Sequence, residues 1–507
     1  MFKTESYRKG IVLSSVGNFF SKSLFFLQGV VIAYYFGAQS KTDVYFYSIS
    51  LLTLIAYFIN SLDSSVLIPE SMRLSEQVGK KESMKFLNFF FYIYLFFGVF
   101  CTVIFLISPV KFFSLLSNFN TNVLIENREL LLYSITLFTL VITTGLLSNI
   151  IASYKYFTVP IIVSTLNNFF ALLFMLLFHD ILNIASIYIG LLIAYSINFI
   201  LLIYLMRKKL QWDFSFSMYR IEKKNIRNMF FAQAGNAMSL IAGFMPIYVL
   251  SGYSAGIIAS LNFGQKTAEA PNQLTVQFSS VLGIKFNELY AKRDYNSLNN
   301  IFLTSAKFLM FVCIPFSVLM FLYNIEIISL LFHRGAFDVQ SVDLSASVLQ
   351  IFGFLLPLYG INTIVTRLFI AGQRMKSAFY NQLALNILII ALTILGIKCF
   401  GIIGYPLSLI SVYLIAVFAY YIWLRILFPY IRYIEIFIYL IKLIILNGCI
   451  GVFIYYVKPF FPEMIILNIL IGTCIYFVIL IFINYVININ DEVVKYTNKI
   501  LKIYKSI

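Results

Sequence analysis

The chain has 507 residues, of which 61% are hydrophobic and 11% charged, and its mean hydropathy is +0.90. That composition excludes an ordinary soluble domain, which carries about 25% charged residues. The formal net charge of +16 invites a nucleic-acid partner, but the placement of the basic residues excludes that reading too.

Crossing a bilayer as a helix takes about 20 apolar residues, and runs of that kind occur fourteen times. They lie approximately at 11–36, 44–68, 86–108, 130–154, 158–178, 182–206, 228–251, 256–284, 299–323, 342–366, 377–397, 402–424, 436–457 and 464–486. With the N-terminus inside, the cytoplasmic segments hold 27 of the 37 Lys and Arg. The outer segments hold six, namely Lys41, Lys111, Arg128, Arg334, Lys398 and Lys458. This is the positive-inside bias, obeyed loop by loop. The predicted fold is therefore an all-α polytopic membrane protein of 14 transmembrane helices. It divides into two six-helix lobes plus two C-terminal helices, with both termini cytoplasmic. The N-terminal lobe covers 1–209 and a basic cytoplasmic linker covers 210–227. The C-terminal lobe covers 228–425, and helices 13–14 with the tail cover 426–507. The first run is too long for a cleavable signal and reads as a retained helix.

In chain order, the first charged group inside a span is Lys22, about 11 residues into span one. At 1.5 Å per residue that is about 16 Å deep, whereas a lysine stem reaches only about 6 Å. A cavity-lining role is predicted, with a structural ion pair as the alternative. Asp43 opens span two, where it either caps a helix N-terminus or acts on substrate. Asp63, followed by Ser64 and Ser65 near the cytoplasmic end, fits either a gating contact or simple solvation. The longest loop, RKKLQWDFSFSMYRIEKKNIR (207–227), mixes bases with aromatics and is predicted to lie along the inner leaflet. Gly17–Asn18 and Gly235–Asn236 near the start of each half hint at an internal repeat. Span eight contains FGQKTAEAPNQ (263–273). There Lys266 and Glu269 share a helix face, and Pro271 would break the helix. Lys307 and Lys442 lie close enough to the cytoplasmic side to snorkel. Asn167, Asn168, Asn236, Gln382 and Asn386 are read first as helix–helix hydrogen bonds. A cation site built from Asn236, Gln382 and Asn386 is the second reading. Spans thirteen and fourteen are predicted as an accessory hairpin facing lipid or another copy, and the tail after Asn490 as a surface helix.

No enzyme constellation is present: His179 and His333 lack metal-ligand spacing, and no phosphate-cradling glycine loop occurs. The five cysteines are scattered through apolar runs without a CxxC and read as small core residues. Neither catalytic nor metal-binding residues are predicted.

Several stretches resemble the MurJ/MviN family of lipid-linked glycan flippases, within the multidrug/oligosaccharidyl-lipid/polysaccharide exporter superfamily. These are FSK (20–22), VIAYYFGAQSKTDVYFYS (31–48), SSVLIPES (64–71), LNFGQKTAEAPNQL (261–274) and LLFHRGAFDVQSVDLSASVLQIFGFLLPLYGI (330–361). The RGAF run in its context is the most specific. The resemblance implies two six-helix lobes that open alternately to each side, with helices thirteen and fourteen forming a groove for a lipid tail. It implies a polyprenyl-diphosphate-linked sugar as cargo, met by cationic residues on helices one, two and eight. Lys22 and Lys266 occupy two such positions as lysines, which lack the bidentate guanidinium fork. Gln28 replaces a further first-helix arginine. The uncharged run Leu54–Ser61 (LIAYFINS) stands where charges are expected on helix two, while Asp43 matches the family's aspartate.

The expected function is thus a flippase of the bacterial cytoplasmic (inner) membrane, moving a polyprenyl-diphosphate-linked glycan from the inner to the outer leaflet by alternating access. The thinned charge set favours an O-antigen or capsule repeat unit, with lipid II of peptidoglycan synthesis as the alternative. A small-molecule or drug antiporter and a membrane glycan polymerase stand further off. The assigned substrate-binding residues are Lys22, Lys266, Glu269, Gln28 and Asp43, with Asp63 and Arg334 as gating residues. No cofactor is expected, the coupling coming from Na+, H+ or the membrane potential. The partners are the glycan lipid and membrane lipids, with no nucleic acid.

Overall fold

No water reaches the backbone in a bilayer core, so each apolar run must satisfy its own amides, and a helix does so within one segment. A computed structural model describes residues 7–490 except 217 and 222, together with 493–494. Every regular element among them is helical. By length and composition ten helical stretches are able to cross a membrane, or eleven with the bent pair Val339–Phe352 and Leu355–Ala371. One of the ten, Lys376–Leu427, spans 52 residues and contains two helices, each of membrane-crossing length. The tail helix expected after Asn490 lies outside the described residues, apart from Val493–Val494.

Contacts group the chain into two compact units. The first takes Met1–Ala259 with Arg334–Asp338, and the second Ser260–His333 with Val339–Ile507. The first unit holds α1 (Tyr7–Phe36), α2 (Ser40–Leu62), α3 (Ile68–Gln77), α4 (Lys80–Ile107), α5 (Pro109–Leu116), α6 (Thr121–Glu126), α7 (Arg128–Ser153), α8 (Thr158–Leu182), α9 (Ala185–Leu210) and α10 (Lys223–Leu250). At its centre α7 packs against α2, α4 and α9, while α1 lies on α8 and α10 on α2. Hydroxyls on α7 fold back onto their own helix, Thr143 Oγ1 donating to Thr139 O at 2.7 Å and Thr144 Oγ1 to Leu140 O at 2.6 Å. A polar residue is thereby buried without an unmet donor.

The start of the segment joining α9 to α10, expected along the membrane surface, is tied to the first unit. Gln211 ends α9 in the left-handed conformation, and no helix forms before Lys223. Trp212 is buried and its Nε1 donates to Asn88 Oδ1 at 2.7 Å. The Asn88 amide, in turn, donates to the carbonyls of Asp213 and Ser215. The start of the linker is a strap tied to α4, because its indole and carbonyls find partners there.

The second unit contains most of α11 (Ile257–Glu269), then α12 (Asn272–Ala291), α13 (Tyr295–Leu322), α14 (Asn324–Phe332), α15 (Val339–Phe352), α16 (Leu355–Ala371), α17 (Met375–Phe400), α18 (Gly404–Leu427), α19 (Ile434–Val457) and α20 (Ile465–Ile487). Here α13 is central, packed by α12, α16 and α19. The helix break expected at Pro271 is present between α11 and α12. Lys307, read from the sequence as reaching toward the membrane surface, pairs there with a carboxylate: its Nζ meets Glu435 Oε2 at 3.2 Å in the first turn of α19 and lies over the Tyr439 ring. The last two spans pack on the rest of the unit, α19 along α13 and α20 against α14 and α19. Tyr476 Oη donates to Asn447 Oδ1 at 2.7 Å in their buried seam.

One end of the first unit is built around one carboxylate. Asp43, on the first turn of α2 and buried, accepts Gly256 N–H at 2.6 Å on Oδ2 and Ala259 N–H at 2.7 Å on Oδ1. It is a cap, but of α11 and not of its own helix, whose N-cap is Gln39. A carboxylate there meets otherwise unpaired N–H groups and the positive end of the helix dipole. Alongside, Ala336 N donates to Tyr34 O at 2.8 Å. Gly37 and Gly335 adopt φ of +59° and +61° with backbone oxygens packed where a Cβ would stand, so only glycine fits either position. The RGAF run is therefore a brace on the first loop. Asp43→Ala leaves two buried N–H groups without partners and is expected to destabilise the protein by about 1–3 kcal/mol for each. Asp43→Asn, which keeps one acceptor, should fall between it and wild type. Thermal unfolding of the detergent-purified variants measures this, and an Asp43→Ala melting point equal to wild type would contradict the cap.

Candidate substrate-binding site

In the first unit a cavity of about 600 Å³ opens among α2, α7, α8, α9 and α10. Its wall comes from stripes of small polar residues at helical spacing. On α2 these are Tyr57, Asn60 and Ser61, with Ser64 in the turn that follows it, and on α7 Thr144, Ser148 and Asn149. Residues three or four apart share a helix face, so each stripe points one way. Ser164 and Asn167 of α8, Tyr195 of α9, and Asn236 and Ser239 of α10 complete the polar lining. Much of this wall is cross-braced. Asn198 Nδ2 donates to Asn167 Oδ1 at 2.8 Å, and Ser61 Oγ to Gln233 Oε1 at 2.9 Å. The Asn167 bond is of the helix–helix kind read from the sequence.

Behind the wall sits Asp63. It is fully buried, so simple solvation does not describe it. Its Oδ1 accepts from Tyr94 Oη and its Oδ2 from Asn149 Nδ2, both at 2.9 Å. Asp63 also begins a π-helical turn, Asp63–Leu67, that joins α2 to α3. Such a turn inserts a residue into the helix register and re-aims the side chains that follow.

Lys22 lies on α1 and is exposed on the surface of its unit. The residue before it, Ser21, is buried and meets Ser164 Oγ at 2.8 Å, and Asn168 Nδ2 donates to Ser21 O at 3.0 Å. These bonds fix α1 on α8, so the lysine is held next to a residue that touches the cavity wall. Gln28 is buried further along α1. Arg334 is exposed at the start of the brace that packs on Tyr34.

In the second unit, Lys266 and Glu269 lie one turn apart near the C-terminal end of α11, and their charges interact. Gln265 Nε2 donates to Glu269 Oε1 at 2.7 Å. Tyr413 packs edge-on to Tyr359 with ring centroids 4.9 Å apart. On α17, Gln382 Nε2 donates to Asn386 Oδ1 at 3.3 Å, and Asn236, the third residue of the expected cation site, lines the cavity of the first unit. A second, apolar groove of about 910 Å³ runs among α13, α16, α18 and α19, lined by Ile314, Val318, Phe321, Leu414, Ile444 and Tyr455 among others.

Sequence reading missed most of the polar wall and the Tyr94 partner of Asp63. Serine, threonine and asparagine are too common in spans to stand out singly. The available signal was their repeat at three and four residues along α2 and α7.

The family model described as "Lipid II flippase MurJ" matches residues 32–476. A probable lipid II flippase MurJ of Borreliella burgdorferi is 23% identical over 427 residues, covering 82% of this chain and 83% of that protein. The counterpart of Aquifex aeolicus is 24% identical over 431 residues, covering 81% and 82%. Among solved structures, a lipid II flippase MurJ in an inward closed conformation aligns with TM-score 0.77 at 20% identity. That alignment covers 94% of this chain and 99% of the other. An inward-facing multidrug-resistance transporter of the MATE family shares the fold at TM-score 0.64 and 11% identity, over 82% of this chain and 95% of its own. The chain belongs to the MurJ family, and it is a multi-pass membrane flippase of a lipid-linked precursor, a transporter and not an enzyme.

Proposed function

We propose that the chain carries lipid II, the peptidoglycan precursor, from the inner to the outer leaflet of the bacterial cytoplasmic membrane by alternating access. What carries the reading in the geometry is the apolar groove of about 910 Å³ in the second unit. It suits an isoprenoid tail in a chain whose spans also offer Lys22 and Lys266 to a diphosphate. A carboxylate or phosphate entering a low-dielectric site needs such partners, because desolvation otherwise outweighs binding. The names of both curated relatives support lipid II over the O-antigen or capsule unit favoured by the sequence. The surface-glycan cargo ranks second, and the uncharged run Leu54–Ser61 is the feature that favours it. The fourteen-span path with both termini cytoplasmic, and lobes divided at 210–227, belong to the same proposal. So do coupling through Na+, H+ or membrane potential, and the use of Glu269 and Gln28 at the site. Asp43 is placed in the α11 cap and is left out of the substrate set.

Removing a charge-assisted partner from a desolvated phosphate is worth about 1.5–3 kcal/mol, or roughly ten- to a hundredfold in affinity. Lys22→Ala and Lys266→Ala should each slow lipid II translocation in proteoliposomes by about that factor, with the arginine variants close to wild type. Wild-type rates in both alanine variants would sink the assigned roles. Rescue of cells depleted of their lipid II flippase, set against cells lacking an O-antigen flippase, separates the two cargoes. For Asp63, the asparagine variant keeps shape but presents an amide NH2 to one of two buried donors. Its melting temperature should drop by a few degrees, and that of Asp63→Ala further, since each unmet buried donor costs about 1–3 kcal/mol. Unchanged melting in both would remove the network from the account of stability.

A further inference from the structure

Lys22 sits on a helix whose apolar residues give little reason to prefer one rotation about its axis. Phe19, Phe20, Phe25 and Leu27 of α1 are all exposed and lie on several sides of the helix, so apolar burial alone does not decide which side meets the bundle. Successive residues on a helix are about 100° apart. A rotation by one residue would press the Lys22 ammonium against α8 in the place of Ser21, where a charge is costly. The stem of a lysine sets its reach, but the rotation of the helix sets its direction.

A polar grip from α8 selects the observed rotation. Asn168 Nδ2 donates to Ser21 O at 3.0 Å and to Ser21 Oγ at 3.1 Å, so one amide holds both the backbone and the side chain of a single residue. Ser21 Oγ also meets Ser164 Oγ at 2.8 Å, and the serine is only 3% exposed. One turn earlier on the same face, Gly17 lies so close to α8 that a Cβ would stand 2.7 Å from Ile161 Cγ2. Small residues at this spacing let two helices approach closely in lipid, and polar side chains then bond across the contact. The gripping helix is itself held, since Asn198 Nδ2 of α9 donates to Asn167 Oδ1 at 2.8 Å and to Val163 O at 3.1 Å. Two adjacent asparagines thus tie α8 to α9 and to α1.

We propose that Asn168 is a positioning residue for transport: it fixes the rotation of α1 that keeps Lys22 out of the α1–α8 contact and exposed for the cargo diphosphate. Asn168 lies outside the lining of the polar cavity and acts through Ser21, the residue before the lysine. The proposal rests on the reading of Lys22 as a diphosphate partner and adds the residue that aims it. Without the grip α1 samples other rotations, and the apparent affinity falls with the fraction of molecules in which the lysine is aimed. Hydrogen bonds between helices in lipid support a shift of about three- to tenfold.

The test measures binding of polyprenyl diphosphate to the full chain in nanodiscs for Asn168→Leu, Lys22→Ala and the double variant. Leucine is close to asparagine in size and deletes the donor. Asn168→Leu should weaken binding about three- to tenfold, yet add nothing to Lys22→Ala, where no charge is left to aim. Asn168→Gln keeps the NH2 on a longer stem and should recover part of the loss. Ser21→Ala keeps the carbonyl that Asn168 holds and should lose less than Asn168→Leu. In proteoliposomes Asn168→Leu should raise KM for lipid II with kcat unchanged, as expected when binding alone is impaired. Should Asn168→Leu not assemble, Asn168→Gln and Ser21→Ala enter the same cycle with Lys22→Ala. Equal losses with and without Lys22, or wild-type binding by both Asn168→Leu and Ser21→Ala, would overturn the proposal. Wild-type binding by Lys22→Ala itself would instead show that the diphosphate reading fails, and the positioning role with it.

Discussion

A single carboxylate ties two separate parts of the chain together at one end of the first unit, and a third packs beside it. Asp43 brings the first hairpin to the N-terminus of α11 by accepting Gly256 and Ala259 N–H, and the Arg334–Asp338 run packs on the same hairpin through Tyr34. The constraint is electrostatic and geometric at once. The first N–H groups of a helix have no partner inside it, and in a buried setting they must find one or pay the desolvation of an unmet donor. Because α11 is the helix that bears Lys266 and Glu269, whatever positions its first turn also positions the start of the polar helix.

The same economy governs the interior. Asp63 would be intolerable alone in an apolar bundle, yet Tyr94 and Asn149 take both its oxygens. Asn149 in turn faces the cavity. A buried network of this type rigidifies when every member is satisfied, and here it stiffens the wall opposite α10. The π-helical turn that starts at Asp63 is the local adjustment that sets the direction of the residues after it. Charge is kept behind the wall and at the exposed Lys22 position, and the wall itself stays neutral.

The second unit solves a different problem. Its groove among α13, α16, α18 and α19 is lined almost wholly by apolar side chains, which match an acyl or isoprenoid environment without needing partners. The polar groups that belong to this unit are drawn into pairs: Lys307 with Glu435, Lys458 with Glu326, and Tyr476 with Asn447. The two units thus differ in the chemistry of their cavities, polar groups lining the one and apolar side chains the other.

Composition, run length and the distribution of basic residues determined the membrane class, the helical fold and the break at Pro271, because these follow from local backbone chemistry and hydropathy. The RGAF run and its neighbours carried the family. Only the tertiary structure decided what the isolated polar residues do. Asp43 read as a cap or a functional group, and its partners lie 213 and 216 residues away at the start of another helix. Lys307 read as snorkelling until Glu435 was placed beside it, and Trp212 read as interfacial until Asn88 took its indole N–H. Hydrogen-bond partners across helices leave no trace in sequence spacing. For the same reason the neutral cavity was invisible: its wall is assembled from five helices, and no one of them carries enough polar residues to announce a site.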